Sequence, residues 1–148
     1  MTTTFRQDIT NQLVVAIDAF ISANPTLLRR SEVVRPPSVV GDLPLAFVDG
    51  RQEQISFSSG IRERVMTPSV VVVSPLADNA ETIQRHDVLV DALVDHFTAY
   101  AQLATNTVWD RMAISDEDYT VDSADGTVRH FFATRFTFNN VSIMEGRN

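Results

Sequence analysis

The chain has 148 residues, of which 44% are hydrophobic and 21% charged, with a net charge of −7 and a pI near 4.8. This acidic balance argues against non-specific wrapping of nucleic acid, which needs a basic surface. Cysteine is absent, which excludes disulfides and thiolate metal sites. The start MTTTFRQDIT lacks the pattern of a signal peptide, and no apolar run approaches the roughly 20 residues that span a bilayer. We therefore expect synthesis in the cytosol and no membrane partner.

The first predicted element is a helix from Thr4 to about Ala23. Thr4 and Gln7 have the spacing of a capping box, and Asn24-Pro25 supplies a stop signal. One stripe of apolar residues recurs at helical spacing, and we interpret it as core packing because the polar face is not basic. The stripe consists of Ile9, Leu13, Ala16, Ile17 and Phe20.

Short strands are predicted next, over Ser31–Arg35, Leu43–Val48 and Glu53–Ser58. Asp49-Gly50 lies between the last two and is a strong turn signal, so these two strands should form a hairpin. The following segment GIRERVMT, residues 60–67, is predicted as a polar-basic surface loop that carries three large apolar residues. Two interpretations stay open: the loop is a contact arm, or its apolar side chains fold back onto the core.

The middle of the chain combines a valine run with a long helix. Val70–Val73 predicts a central strand covered on both faces, because a continuous β-branched run leaves no polar face. A helix is predicted from Asn79 to about Ala104. On one of its faces Asp87, Asp91 and Asp95 follow at i, i+4 and i+8, where like charges repel. This acidic stripe is therefore either well solvated or opposed by positive charge.

The last third of the chain predicts strands over Val108–Ser115 and Tyr119–Asp122, a hairpin turn at Ala124-Asp125-Gly126, and a long strand over Val128–Asn139. In the long strand, alternate residues share a face. The face that carries three phenylalanines belongs on the core, and His130 lies on it, so His130 is predicted to be a hydrogen-bonded core histidine.

The order helix, strands, helix, strands predicts an α+β fold. In it, two long helices pack on one face of a mainly antiparallel or mixed sheet. A single domain spanning residues 1–148 is expected, because neither an internal repeat nor a linker interrupts the chain. Residues 143–148 are expected to fray at the end of it.

A search for chemistry finds no catalytic pattern. The sequence has no G-x-S-x-G elbow, no G-x-G-x-x-G and no P-loop. Metal binding by His96 with Asp91 or Asp95 has offsets of five and one, whereas ligands on one helix face need three or four. The acidic stretch from Asp116 to Asp125 does not match a calcium loop and predicts a solvated turn. Paired carboxylates for glycoside chemistry stay open, since any two acids can meet in space. The prediction is a non-enzymatic protein with no catalytic, metal or cofactor site.

Charge is distributed unevenly along the chain. Residues 29–64 hold six arginines against five acids, a net charge of +1, and residues 78–125 hold eleven acids against two arginines, a net charge of −9. This polarity would let the acidic face of one copy meet the basic face of another. The alternative is that the acidic helix and turn are solvated and keep the protein soluble.

Five segments follow one another in a familiar order: TNQLVVAIDAFI in the first helix, DLPLAFVD, RERVMTPSVVVVSP, HDVLVDALVDHF in the long helix, and DYTVDSADGTVRHFFATRFTF. This layout resembles the tail terminator (tail completion) proteins of long-tailed bacteriophages. The resemblance is a pattern of elements over nearly the whole chain, and none of the segments is a signature by itself.

The resemblance implies a structural virion protein that forms a ring of six copies. The ring caps the tail tube, terminates tail growth and provides the surface that joins the head, and DNA passes through its lumen without specific binding. The implied partners are further copies of the chain, the tail tube protein and a head-side connector or neck protein, with no cofactor. The implied location is the head-proximal end of the tail, after assembly in the host cytoplasm.

If such a ring forms, the charge distribution suggests a subunit interface. Residues of the 60–67 segment on one copy would face the acidic stripe on the next, and charge reversal at Arg64 should then weaken assembly. The residues that we assign to this interface are Arg62, Arg64 and Met66 on one side and Asp87, Asp91 and Asp95 on the other.

Three rival functions remain open. One is another head–tail connector or neck protein, which would bind on the portal side. The second is a small non-enzymatic ligand-binding α+β domain, which would be monomeric or dimeric and have a pocket of several hundred Å³. The third is a hydrolase that depends on His96 or His130.

Overall fold

The computed structural model describes residues 5–32, 43–58, 61–75, 80–99, 107–108, 111–122, 125–139 and 141–143. The elements follow the order that the sequence predicts, in which one helix precedes a group of strands and a second helix precedes another group. In chain order they are α1 (Phe5–Ala23), β1 (Arg30–Glu32), β2 (Leu45–Ser58), β3 (Ile61–Ser74), α2 (Ala80–Ala99), β4 (Thr107–Val108), β5 (Arg111–Asp122), β6 (Val128–Asn139) and β7 (Ser142–Ile143).

The main sheet has five strands in the order β1-β2-β3-β6-β5. β1 runs parallel to β2, and every other neighbouring pair of this sheet is antiparallel. β4 and β7 form a separate two-stranded antiparallel ladder. The chain is therefore an α+β protein with a mixed, mainly antiparallel sheet, and this prediction is confirmed.

The valine run at the centre of β3 is buried on both sides of the sheet. Val70 to Val73 are each at most 1% exposed. Because successive side chains of a strand point to opposite faces, Val70 and Val72 join one cluster of buried residues while Val71 and Val73 join another. The sequence-based prediction of a doubly covered central strand is confirmed.

Both long helices pack on the same face of the sheet, as predicted. Their apolar stripes meet the side chains of β2, β3 and β6 in one cluster, which we call the helix-side core. The helices contribute Ile9, Leu13, Ala16, Ile17, Phe20, Leu89, Leu93 and Phe97, and the strands contribute Ala46, Val48, Met66, Val70, Val72, Phe136 and Phe138. The opposite face has its own smaller cluster of Leu45, Phe47, Val71, Val73, Tyr119 and Ala133.

Asp49-Gly50 does not form the predicted turn, and the hairpin that it was to close is wrong. Leu45 to Ser58 is one continuous strand, and its register against β3 shifts between Asp49 and Arg51. Such a shift is a β-bulge, in which one extra residue on a strand is accommodated opposite its partner. Pro68 lies opposite Arg51, where a proline is tolerated because the ladder is already interrupted. Asp49-Gly50 forms no turn because β3 is long enough to pair with β2 both before and after these two residues.

The predicted loop over residues 60–67 is wrong as well. Ile61 to Thr67 are the first half of β3 and pair with β2 in regular register. The polar residues of this segment favour a loop in the sequence, but it is a strand that runs out of the helix-side core: Met66 is buried, whereas Arg64, two residues earlier on the same face, is only half-buried. Residue 60 lies outside the described residues.

The remaining boundaries differ from the predictions by a few residues. The predicted strand Ser31–Arg35 is observed as Arg30–Glu32. The predicted strands Val108–Ser115 and Tyr119–Asp122 are joined in one continuous β5 from Arg111, while Val108 belongs to β4 and residues 109–110 lie outside the described residues. Ile143, which the sequence assigns to a frayed end, pairs with Thr107 in the small ladder. Residues 33–35, 79, 100–104 and 144–148, on which parts of these predictions fall, lie outside the described residues.

The buried face of α2 should dominate its contribution to stability. Replacement Leu93→Ala removes a side chain with no exposed surface and should lower the free energy of unfolding by about 2–5 kcal/mol in urea denaturation. The matched control Val88→Ala on the same helix removes a side chain that is 55% exposed and should change it by less than about 0.5 kcal/mol. Equal losses for the two variants would contradict the observed packing of α2.

Candidate interaction site

A two-stranded ribbon extends beyond the main sheet. β6 pairs with β3 only between Ser69 and Ser74, whereas β2 pairs with β3 along its full length. Residues 51–58 and 61–68 therefore continue past the end of β6 as a pair of strands. We call this ribbon the β2–β3 arm.

The base of the arm is fixed to the body of the protein. Met66 has no exposed surface and lies in the helix-side core, and its backbone exchanges hydrogen bonds of 3.0 and 2.8 Å with Val141. Arg64 donates a hydrogen bond of 2.5 Å to Glu53, and its guanidinium carbon lies 4.6 Å from the centre of the Phe5 ring. The hydrogen bond to Glu53 raises the pKa of Arg64, against the smaller opposing effect of burial. Arg64 is thus a charged residue that joins the arm to the start of α1.

The outer part of the arm presents apolar side chains to solvent. Phe57 is 77% exposed and Ile55 is 48% exposed. The two residues alternate with polar ones and so share a face, and their register partners place it on the same side of the sheet as Arg64. Single exposed hydrophobics are common, but two neighbours near the end of a projecting ribbon form an apolar contact surface.

The structure changes the role of the residues predicted on the basic side of the interface. Met66 has no exposed surface, so its side chain folds back onto the core, which is the second of the two interpretations that the sequence left open for this segment. Arg64 is half-buried and already paired with Glu53. The backbone of Arg62 pairs with Phe57 in the arm, while its side chain lies outside the described part of the structure.

The predicted acidic residues lie on the surface of α2. Asp87, Asp91 and Asp95 are exposed, as a solvated or partner-facing stripe requires. Val88 lies among them and is 55% exposed. At 100° per residue, Val88, Asp91 and Asp95 fall within one third of a helical turn. This side of α2 therefore offers an apolar patch next to carboxylates.

The acidic stretch from Asp116 to Asp118 belongs to β5 and is not the predicted solvated turn. Each of its carboxylates accepts a hydrogen bond from β6: Asp116 from Thr134, Glu117 from Arg135, and Asp118 from His130. Arg135 also donates a hydrogen bond of 2.7 Å to Asp49 of β2, so its guanidinium connects three strands. Hydrogen bonds to both carboxylates, the one to Glu117 first, raise the pKa of Arg135 against the effect of burial. Only the end of the stretch, Asp125, lies in the expected turn.

A buried histidine connects α2 to the end of the sheet. The side chain of His86 lies between two hydroxyls, with Nδ1 2.7 Å from Ser74 Oγ and Nε2 2.8 Å from Thr134 Oγ1. Because the Thr134 hydroxyl donates to Asp116, it accepts from His86 Nε2–H, and His86 Nδ1 is left to accept from Ser74. Burial lowers the pKa of His86, and the nearby carboxylates of Asp116 and Asp87 only partly oppose this effect.

The other two histidines have different environments. His130 is exposed and lies 3.0 Å from the carboxylate of Asp118, so its assignment to the core is wrong. The first residues of β6 extend past Ser74, where β3 ends, and pair with β5 alone among the described strands. His96 Nε2 donates to the carbonyl oxygen of Ala16 at 2.7 Å and its ring packs edge-on against Phe20, which ties α2 to α1. Sequence reasoning missed His86, although its position three residues before Leu89 and seven before Leu93 marks the buried side of the helix.

The described residues include neither a metal-binding cluster nor a membrane-spanning helix. They contain no group of three or more histidine, aspartate or glutamate side chains placed to hold a metal ion. None of the helices formed by these residues is both long enough and apolar enough to cross a membrane.

The protonation of His86 should affect stability in a defined pH window. Its folded-state pKa is below the unfolded value of about 6.5, so the unfolded chain binds the proton first on acidification. The free energy of unfolding should therefore fall as the pH drops from about 6.5 to about 5, above the range in which carboxylates titrate. In urea denaturation at several pH values, His86→Gln should be less stable near neutral pH and should lose this decline. His130→Gln serves as the control and should retain it; a decline that persists in His86→Gln would assign the effect to another group.

Comparisons with known proteins give a structural similarity but no family. No protein-family model and no curated protein matches the chain. Among solved structures, the chain is similar to the gp17 protein of bacteriophage SPP1, with 18% sequence identity and a TM-score of 0.42. That similarity covers 94% of this chain and 96% of the other.

Proposed function

We propose that this chain is a structural protein of a bacteriophage tail. In this proposal, six copies form a ring that caps the head-proximal end of the tail tube, ends tail growth and provides the surface that joins the head. The tail tube protein and a head-side connector are its partners, and DNA passes through the lumen. The order of sequence segments supports the assignment to a tail, and the β2–β3 arm supports self-association.

The observation that carries the proposal is the exposed apolar surface of the arm. Phe57 leaves most of its ring in water, although burying a phenylalanine side chain stabilises a protein by about 1.5–3 kcal/mol. The base of the arm is fixed by Met66 and by the Arg64–Glu53 ion pair, so the arm holds Phe57 in place away from the body. A phenylalanine on a paired strand gains contact area at little cost in backbone entropy, because its backbone is already ordered.

The surface that fits the arm best is the outer side of α2 on a second copy. Val88 supplies an apolar contact for Phe57 there, and Asp91 and Asp95 surround it with negative charge. Residues 51–68 of the arm hold three arginines against two glutamates, a net charge of +1, whereas α2 has four acids against one arginine, a net charge of −3. Apolar contact and charge complementarity thus favour the same pairing.

This pairing joins two different surfaces of the same chain. A contact between different surfaces is heterologous, and repeating it produces a closed ring when the rotation between neighbours closes. The arm and the outer side of α2 belong to separate elements, so each copy has both surfaces available at once. The proposed interface keeps the acidic side of the sequence-based prediction and replaces Met66 by Phe57 on the other side.

The sharpest test replaces Phe57, because charge reversal at Arg64 would also break the ion pair with Glu53. Phe57→Ser should weaken self-association roughly 10- to 100-fold, the factor that corresponds to the lost burial of one phenylalanine. Sedimentation velocity over a range of protein concentrations measures the association, and co-sedimentation with purified tail tubes measures binding to the tube. The fold should be unaffected, because Phe57 contributes little to the core.

Val128→Ser is the matched control. Val128 is 50% exposed at the start of β6, which lies at the opposite end of the sheet from the arm. This variant should associate at the wild-type protein concentration. Association of Phe57→Ser at that same concentration would show that the arm is not part of the interface.

A further inference from the structure

A cavity of about 500 Å³ opens at the end of the sheet opposite to the β2–β3 arm. It lies between the segment that follows α1, the start of β2, the end of β3 and the first turns of α2. Its volume is within the range of pockets that hold small molecules. The ring proposed above makes no use of this cavity.

The cavity has polar groups on its rim and apolar walls. Arg29 and Arg85 line it together with the hydroxyl residues Thr26 and Thr82, and leucine and proline side chains complete the walls. None of the described residues that line it is acidic. The described lining of the cavity thus carries two arginines in a chain with a net charge of −7.

The cavity floor is formed by groups that already satisfy one another. Ser74 and His86 both line the cavity, but the hydroxyl of Ser74 and the imidazole of His86 are hydrogen-bonded to each other at 2.7 Å. The second ring nitrogen of His86 is occupied by Thr134. A ligand would therefore find its charged partners at the rim, where the exposed ion pair of Arg85 with Glu81, four residues away on the same helix, contributes little to stability.

We infer that this cavity binds a small organic anion, whose charged group lies between Arg29 and Arg85 and whose apolar body packs against the leucine and proline walls. Guanidinium groups recognise planar and tetrahedral anions through paired N–H donors, and threonine hydroxyls add further donors. The walls exclude water from one side of the ligand, which strengthens these charge-assisted hydrogen bonds. This inference does not depend on ring formation, because the arm and the cavity lie at opposite ends of the sheet.

Benzenesulfonate is the probe for a test, since it is an anion at every pH at which the protein is folded. Methyl phenyl sulfone has nearly the same shape without the charge and is the matched neutral compound. In a titration followed by amide NMR, benzenesulfonate should give saturable shifts at Thr26 and Thr82 with a Kd of about 1 mM or lower. The sulfone should bind at least about tenfold more weakly.

The double variant R29Q/R85Q should weaken benzenesulfonate binding by at least about tenfold, because each arginine is expected to contribute a charge-assisted hydrogen bond. Arg129→Gln removes an arginine that does not line the cavity and should leave the Kd unchanged. Absence of saturable shifts up to about 10 mM would overturn the inference. Equal binding of the sulfone, or an unchanged Kd in R29Q/R85Q, would overturn it too.

Discussion

The burial of β3 on both faces is the constraint on which the rest of the structure depends. The side chains of Val70 and Val72 require the two helices on one side, and those of Val71 and Val73 require the smaller cluster on the other. β2 and β6 flank this part of the strand, so its backbone is paired along both edges. The first half of β3 lacks that neighbour on the β6 side except for the bridge at Met66. One strand thus provides both the centre of the core and the inner edge of the projecting arm.

The two ends of the sheet have different chemistry. The arm presents Phe57 at one end, while the other end holds the buried His86, the cavity with Arg29 and Arg85, and the start of β6. The bulge at Asp49 and Arg51 matters for this difference, because it shifts the alternation of β2 and brings Glu53, Ile55 and Phe57 to the helix side of the sheet. Without the shift, these residues would lie on the opposite face. A local irregularity of one residue therefore decides which surface the arm presents.

Much of the fold can be predicted from the spacing of apolar residues, and each wrong prediction has an identifiable physical cause. The stripe of α1, the valine run of β3 and the bounds of β6 are predictable because each has one strong period over many residues. The turn predicted at Asp49-Gly50 is wrong because the same residue types occur in bulges and in turns. Only the length of the partner strand distinguishes the two structures. The prediction for His130 is wrong because alternation gives the face of the strand but not whether another element covers that face. The candidate site cannot be found from the sequence alone, because the arm that carries Phe57 begins where β6 stops pairing with β3, at Thr137, some eighty residues further along the chain.

The central claim is that this chain assembles into a ring on a tail tube through different surfaces of neighbouring copies. Negative-stain electron microscopy of the concentrated protein, alone and mixed with tail tubes of the phage that encodes it, tests that claim most directly. The account predicts rings with sixfold symmetry, or tubes that carry an added cap at one end only. Isolated particles together with unchanged tubes at the same concentrations would contradict it.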